Sequence, residues 1–140
     1  MPPVRVLIVE DQEPFRRAAA AVVDLTEPFQ VVGTVASGEG CLAAVPGLRP
    51  DLVLMDVGLP GIDGMEAARR LSVLPRPPVV VLVSTHDEEE FGEAVRSCGA
   101  TTYIKKSAFG PDRLTAAWLL ASGRTTRTST FPSGNSTSSS

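Results

Sequence analysis

The sequence predicts an α/β fold, a doubly wound parallel sheet of five strands with helices on both faces. Two observations carry that prediction. Five short apolar or β-branched runs, starting near residues 4, 29, 52, 79 and 101, alternate with five stretches of helical pattern. Strand-then-helix alternation is the signature of a parallel sheet covered on both sides. Four of the five runs also end on groups able to do chemistry: Glu10-Asp11, Asp56, Ser84 and Lys106. In an open parallel sheet the carboxyl ends of the strands form the edge where ligands bind.

The first strand is Val4 to Val9 (VRVLIV), followed at once by Glu10 and Asp11. Gln12 to Leu25 mixes Ala, Val and Phe15 with Arg16 and Arg17, an amphipathic helix. Pro14 suits its first turn, where a missing N–H costs little. Phe29 to Val35 is the second strand, weakened by Gly33. Ser37 is expected to cap a helix through Ala44, closed by Pro46-Gly47. Leu52 to Met55 is a strand buried on both faces that ends on Asp56, and the chain then breaks at Gly58, Pro60, Gly61 and Gly64. Asp63 caps a helix from about Gly64 to Leu71, which Pro75, Pro77 and Pro78 prevent from continuing. Val79 to Val83, β-branched throughout apart from Leu82, is the clearest strand and ends on Ser84-Thr85. Asp87 to Cys98 reads as a helix with an acidic first turn (Asp87, Glu88, Glu89, Glu90), closed by Gly99. Thr101 to Ile104 is a short fifth strand ahead of Lys105-Lys106. Pro111 occupies the first helical position of a last helix through Ser122, with Trp118 on its apolar side.

The bulk properties bound the rest. A chain of 140 residues, 43% hydrophobic and 21% charged, is the size and composition of one soluble domain. No apolar run approaches the length needed to span a bilayer, and Met1-Pro2-Pro3 leads into a strand with no signal-peptide pattern. Cys41 and Cys98 lie far apart with no metal-ligand spacing, as expected of small apolar residues in a reducing cytoplasm. A formal net charge of −3 gives no electrostatic footprint for nucleic acid, so this segment is not expected to bind DNA. Twelve of the last twenty residues are Ser or Thr, too polar to offset their ordering entropy. The expected division is therefore a domain over residues 1–122 and a flexible tail or linker over 123–140.

Right-handed crossovers bring all the parallel strand ends to one edge of the sheet. Crowded carboxylates there repel and raise one another's pKa unless a cation compensates. Glu10, Asp11 and Asp56 form a hard oxygen set suited to Mg²⁺. Lys106 adds a positive charge and Ser84 a hydroxyl donor. Together they have what transfer of a phosphoryl group to a carboxylate requires, with cations neutralising the oxygens while Asp56 attacks.

With those residues in view, the chain resembles the receiver domain of two-component response regulators over roughly residues 4 to 122. The matching stretches are LIVED (7–11), LVLMDVGLPGIDG (52–64), VVLVSTHDEEE (80–90) and GATTYIKK (99–106). The resemblance implies a flavodoxin-like sheet of order 2-1-3-4-5. It implies that Asp56 accepts a phosphoryl group from a phosphohistidine on a sensor histidine kinase. Mg²⁺ would be bound by Asp11, Asp56 and the backbone carbonyl of Gly58, with Glu10 acting through a metal-bound water. Ser84 takes the position of the switch hydroxyl, and Tyr103 that of the aromatic that turns inward on activation. Lys106 rather than Lys105 aligns with the family lysine, three residues after the aromatic. Strand alternation is compatible with this, since Tyr103 and Lys105 share a face. Gly58 and His86 occupy positions that tune phosphoryl lifetime in the family. Ser107 follows the lysine instead of the common Pro, so the usual sequence favouring a cis peptide is absent. The phrases HDEEE and KKSAF resemble receivers that precede a helix-turn-helix DNA-binding domain, which makes the tail a linker and transcription the output. Homodimerisation on phosphorylation is expected through the fourth helix, fifth strand and last helix, or through the first helix.

Other readings compete. Gly38-Glu39-Gly40-Cys41-Leu42-Ala43 matches the glycine fingerprint of dinucleotide binding, but on the second strand and without a use for the acidic cluster or Lys106. A Mg²⁺-dependent phosphohydrolase of the haloacid-dehalogenase type would want D-x-D at the nucleophile, where the chain has Asp56-Val57-Gly58. His86, the single histidine, has no clustered partner and reads as a loop residue. A stand-alone receiver, or a pseudo-receiver working by protein contacts without phosphorylation, is the main alternative.

Overall fold

The computed structural model describes residues 2–87 and 92–123. Its elements are β1 (Val4–Val9), α1 (Glu13–Asp24), β2 (Phe29–Val35), α2 (Gly38–Leu48), β3 (Leu52–Asp56), α3 (Gly64–Ser72), β4 (Val79–Ser84), α4 (Gly92–Ser97), β5 (Thr102–Lys105) and α5 (Pro111–Gly123). All strand pairs are parallel, in the order β2-β1-β3-β4-β5. The expected architecture and strand order are both present.

Period-two alternation builds two cores. Leu7, Val9, Val53, Met55, Val80, Leu82 and Tyr103 pack on one face with Cys41, Val45, Ala67, Ala68, Leu71, Val95 and Cys98, from α2, α3 and the α4 region. Val6, Ile8, Leu52, Leu54, Val81, Val83 and Ile104 pack on the other with Ala19, Val23, Leu114 and Ala117 of α1 and α5. In β2 the register slips by one: Val6 pairs with Val31 but Leu7 with Gly33. The extra residue reverses which face later side chains take, so Phe29 joins the α1/α5 core while Val35 packs against the other. Gly33 is small because Leu48 lies there; a Cβ would come within 2.8 Å of its Cδ1.

Helix α2 does not stop at Ala44. It runs through Pro46 and Gly47 to Leu48, and Arg49 closes it in the left-handed conformation (φ 51°) with its N–H donating to Val45 O. Proline costs a helix one hydrogen bond, but Val45 is buried under the sheet and Leu48 packs against the same core, so tertiary packing overrides the breaker. Asp87 is not in the fourth helix: it lies in the preceding loop and pairs with Lys105. The rest of the expected acidic turn, Glu88, Glu89 and Glu90, lies outside the described residues, as does the Ser/Thr-rich segment from 124 onward. Strand β5 is displaced by one residue, ending at Lys105, and Lys106–Ala108 form a 3₁₀ turn. Ser37 and Asp63 cap α2 and α3, accepting from Gly40 N and Glu66 N. Among the described residues no helix is long and apolar enough to cross a membrane.

A tight junction lies under the site. Helix α3 starts against the end of β3, where Gly64 N–H donates to Val57 O. A Cβ on Gly64 would sit 2.2 Å from the Asp56 carbonyl oxygen. Gly64→Ala is expected to destabilise the fold by about 2–3 kcal/mol, because the obstruction is backbone and cannot rotate away. Gly47→Ala, with nothing within 4 Å of the added methyl, is expected to be neutral or stabilising by up to about 1 kcal/mol. Urea unfolding of the two variants checks the contrast.

Candidate functional site

The strand registers put the chemistry at one edge. Val9 pairs with Met55, so Glu10 and Asp56 come level one residue further on. Asp56 itself pairs with Val83, which leaves Ser84 one step beyond, and Ser84 pairs with Lys105. Parity then separates the two lysines. Lys105 follows the odd positions of β5 and reaches Asp87 at the surface (2.8 Å), an exposed pair of little energetic weight. Lys106 follows Ile104 to the α1/α5 side.

There the Lys106 ammonium lies 2.9 Å from Glu10 Oε1 and 3.5 Å from Asp56 Oδ1, with its side chain only 11% exposed. Glu10 is held on every other side. Its backbone N–H donates to Val35 O, its Oε2 accepts from Gln12 N–H at 3.0 Å, and its carbonyl accepts from the Arg16 guanidinium at 2.9 Å. Glu10 Oε1 is buried and, among the described residues, meets no partner besides the Lys106 ammonium.

Glu10, Asp11 and Asp56 each offer an oxygen within 4.8 Å of the others. Burial pushes the Asp56 carboxyl above its ordinary value; Lys106 and the Gly58 N–H pull the other way without overcoming it, and the charge of Asp11 adds to the rise. Burial likewise raises Glu10 against the pull of Lys106 and Gln12, with Asp56 adding repulsion. One ammonium among three carboxylates leaves the edge short of positive charge. Hard oxygens and that charge deficit together suit Mg²⁺.

Ser84 is buried, and its Oγ accepts from His86 N–H at 3.1 Å, which leaves its own O–H to donate. Tyr103 is buried too, away from the carboxylates, with its hydroxyl donating to His86 O. The His86 backbone thus ties Ser84 to Tyr103. Gly58 lies against Asp56: a Cβ there would meet only Asp56 Oδ2, at 3.8 Å.

The chain's glycine fingerprint has a structural use. Gly38 admits Ile62, which a Cβ would meet at 2.8 Å, and Glu39 Oε2 accepts from Ile62 N–H while filling the space beside Gly61 (φ 73°). It braces the loop that follows Asp56. Sequence reasoning passed over Glu39 in that role, and also Arg16 and Phe109. Each looked like an ordinary charge or apolar residue, and only the tertiary approach of their partners distinguishes them.

A family profile described as the response regulator receiver domain matches residues 6–118. The chain belongs to the response regulator receiver family. Response regulator GacA of Pseudomonas aeruginosa is 39% identical over 106 residues, which cover 75% of this chain and 49% of that protein. Transcriptional regulatory protein DegU of Brevibacillus brevis is 31% identical over 121 residues, 86% of this chain and 51% of that protein. The chain thus spans about half the length of these curated relatives. A two-component response regulator of the LuxR family from Aurantimonas sp. SI85-9A1 superposes with a TM-score of 0.76 at 25% identity, over 85% of this receiver and 86% of that chain.

The raised carboxyls set a sign for pH. A carboxyl whose folded pKa exceeds its ordinary value keeps its proton longer in the native state than in the unfolded chain. Ionising it therefore costs stability, and the cost appears as pH rises from the ordinary values, 3.8 for Asp56 and 4.5 for Glu10, through the raised ones. Without metal, Asp56→Asn is expected to be about 1 kcal/mol more stable than wild type at neutral pH, with the gain vanishing below about pH 4. Urea unfolding against pH measures it; an Asn variant less stable at neutral pH contradicts the account.

Proposed function

We propose that this receiver is a phosphorylatable switch. Asp56 takes a phosphoryl group from the phosphohistidine of a sensor histidine kinase, and the β4–α4 loop rearranges in response. The observation that carries this reading is the Asp56 carboxylate at the sheet edge beside the Lys106 ammonium, within a cluster of three carboxylates.

Asp11, Asp56 and the Gly58 carbonyl would hold Mg²⁺ directly, and Glu10 through a water. Bound there, Mg²⁺ supplies positive charge against the oxygens of the phosphoryl group. An Asp56 oxygen forms the new bond to phosphorus as the bond to the kinase imidazole nitrogen breaks, and the electron pair leaves with the imidazole. Lys106 neutralises charge on the phosphoryl oxygens. Ser84 has an O–H to donate to one of them, and its hydrogen bond from His86 N–H couples that movement to the loop and to Tyr103. Tyr103 starts buried here, so its part in the switch is read through its bond to His86 O rather than through an exposed starting position.

The reading extends to output. The name of DegU, a transcriptional regulatory protein, together with the half-length match, supports transcription as the regulated process, through an output domain outside this segment and with residues 123–140 as the linker. Exposed Leu119 and Leu120 on α5 support a homodimer formed on phosphorylation. The receiver itself turns over no outside substrate. The proposed compartment is the cytoplasm, supported by two free buried cysteines; burial pushes the Cys41 thiol up to about 11, so it stays protonated and unreactive.

Incubation with Mg²⁺ and a small-molecule phosphodonor, followed by intact-mass spectrometry, tests the reading. Wild type is expected to gain one phosphoryl group and Asp56→Asn none, with Lys106→Ala slower on the order of 10²-fold. Absence of any gain in wild type, from donor or kinase, would favour the pseudo-receiver.

A further inference from the structure

The side chain that must hold the transferring group is the most flexible in the site. Lysine carries its charge on four methylenes, and the ammonium has three donors to distribute. Glu10 and Asp56 attract it, but they are also the groups whose charge changes when metal and phosphoryl arrive. Something that does not change must fix the stem.

The structure has such a group beside the ammonium. Lys106 Nζ lies 4.7 Å from the centroid of the Phe15 ring. A ring face attracts a cation through its quadrupole, and it neither accepts strongly nor titrates, so the lysine N–H groups stay available to oxygens. The Phe15 ring is itself fixed by Phe109, edge on at 6.0 Å between centroids and 61° between planes. Phe109 in turn depends on the lysine backbone. The Lys106–Ser107 bond is not among the cis peptides of the described residues, and the chain turns through Lys106–Ala108 so that Phe109 N–H donates to Lys106 O at 3.2 Å. The lysine backbone orients Phe109, Phe109 buttresses Phe15, and Phe15 faces the lysine ammonium.

We infer that Phe15, buttressed by Phe109, is a positioning residue that holds the Lys106 ammonium at the phosphoacceptor. This deepens the proposed phosphoryl transfer and rests on it for its effect on rate. The placement of the lysine is separable and can be measured without any reaction. A ring face at this distance is worth a factor of roughly 2 to 30.

The test uses Phe15→Leu, which keeps apolar volume and loses the face, and Phe15→Tyr, which keeps it. Phe109→Leu removes only the buttress. Two readouts are taken: the NMR resonances of the Lys106 ε-methylene, which a ring face shields, and the rate of phosphorylation by a small-molecule donor at saturating Mg²⁺. Phe15→Leu is expected to move the ε-methylene protons downfield and slow phosphorylation about five- to tenfold, with Mg²⁺ affinity within twofold of wild type. Phe15→Tyr restores both, and Phe109→Leu falls between. Should wild type fail to be phosphorylated, the transfer reading fails and the resonances alone decide this inference. Lys106 resonances unchanged in a folded Phe15→Leu protein overturn it, as does a rate equal to wild type where transfer occurs. If Phe15→Leu does not fold, the same comparison made on Phe109→Leu decides it in the same way.

Discussion

The structure depends on a shortage of positive charge at one edge of an apolar sheet. Burying an ionised carboxylate is costly unless it is paired and hydrogen-bonded. Here Glu10 and Asp56 are both buried at level positions, Asp11 stands beside them, and one lysine serves the group. The surrounding fold is built to hold that arrangement rather than relieve it. Strands β1 and β3, buried on both faces, leave the carboxylates no freedom to separate. Such strain is retained where the gain in function exceeds the loss in stability.

The remaining pieces act through that edge. The close start of α3 on Gly64 sets the course of the loop after Asp56, and Glu39 on α2 braces the same loop from outside. On the other side, Ser84 and Tyr103 both bind the backbone of His86, one at its N–H and one at its carbonyl. In the proposed switch, a change of charge at Asp56 would pass through Ser84 and the His86 backbone to Tyr103 on β5. The exposed Lys105–Asp87 pair crosses that route but is too solvated to hold it alone.

Much of this was legible in the chain. The strands were readable because a sheet covered on both faces demands continuous apolar runs, as in Leu52–Met55 and Val79–Val83. The site was readable because polar residues at the ends of such runs are forced to one edge. Lys106 was separable from Lys105 because the family resemblance places its lysine three residues after the aromatic, and strand alternation agrees with that choice. What escaped was decided by tertiary contact. Pro46 reads as a terminator until Val45 and Leu48 are seen packed on the core. Gly33 reads as a defect until the register slip and Leu48 explain it. Phe15 looks like any apolar helix residue, because nothing in the sequence says that a turn 91 residues beyond it brings a cation onto its ring.

The edge lacks positive charge, and the proposed divalent cation would supply it. Unfolding free energy measured at neutral pH across a Mg²⁺ titration tests this most directly. The account predicts a rise with concentration that follows the linkage law for one site, about 2.7 kcal/mol at a hundred times Kd. It further predicts a much smaller rise once the carboxylate of Asp56 is replaced by an amide. Stability that stays flat across the titration, or that rises equally without that carboxylate, would contradict it.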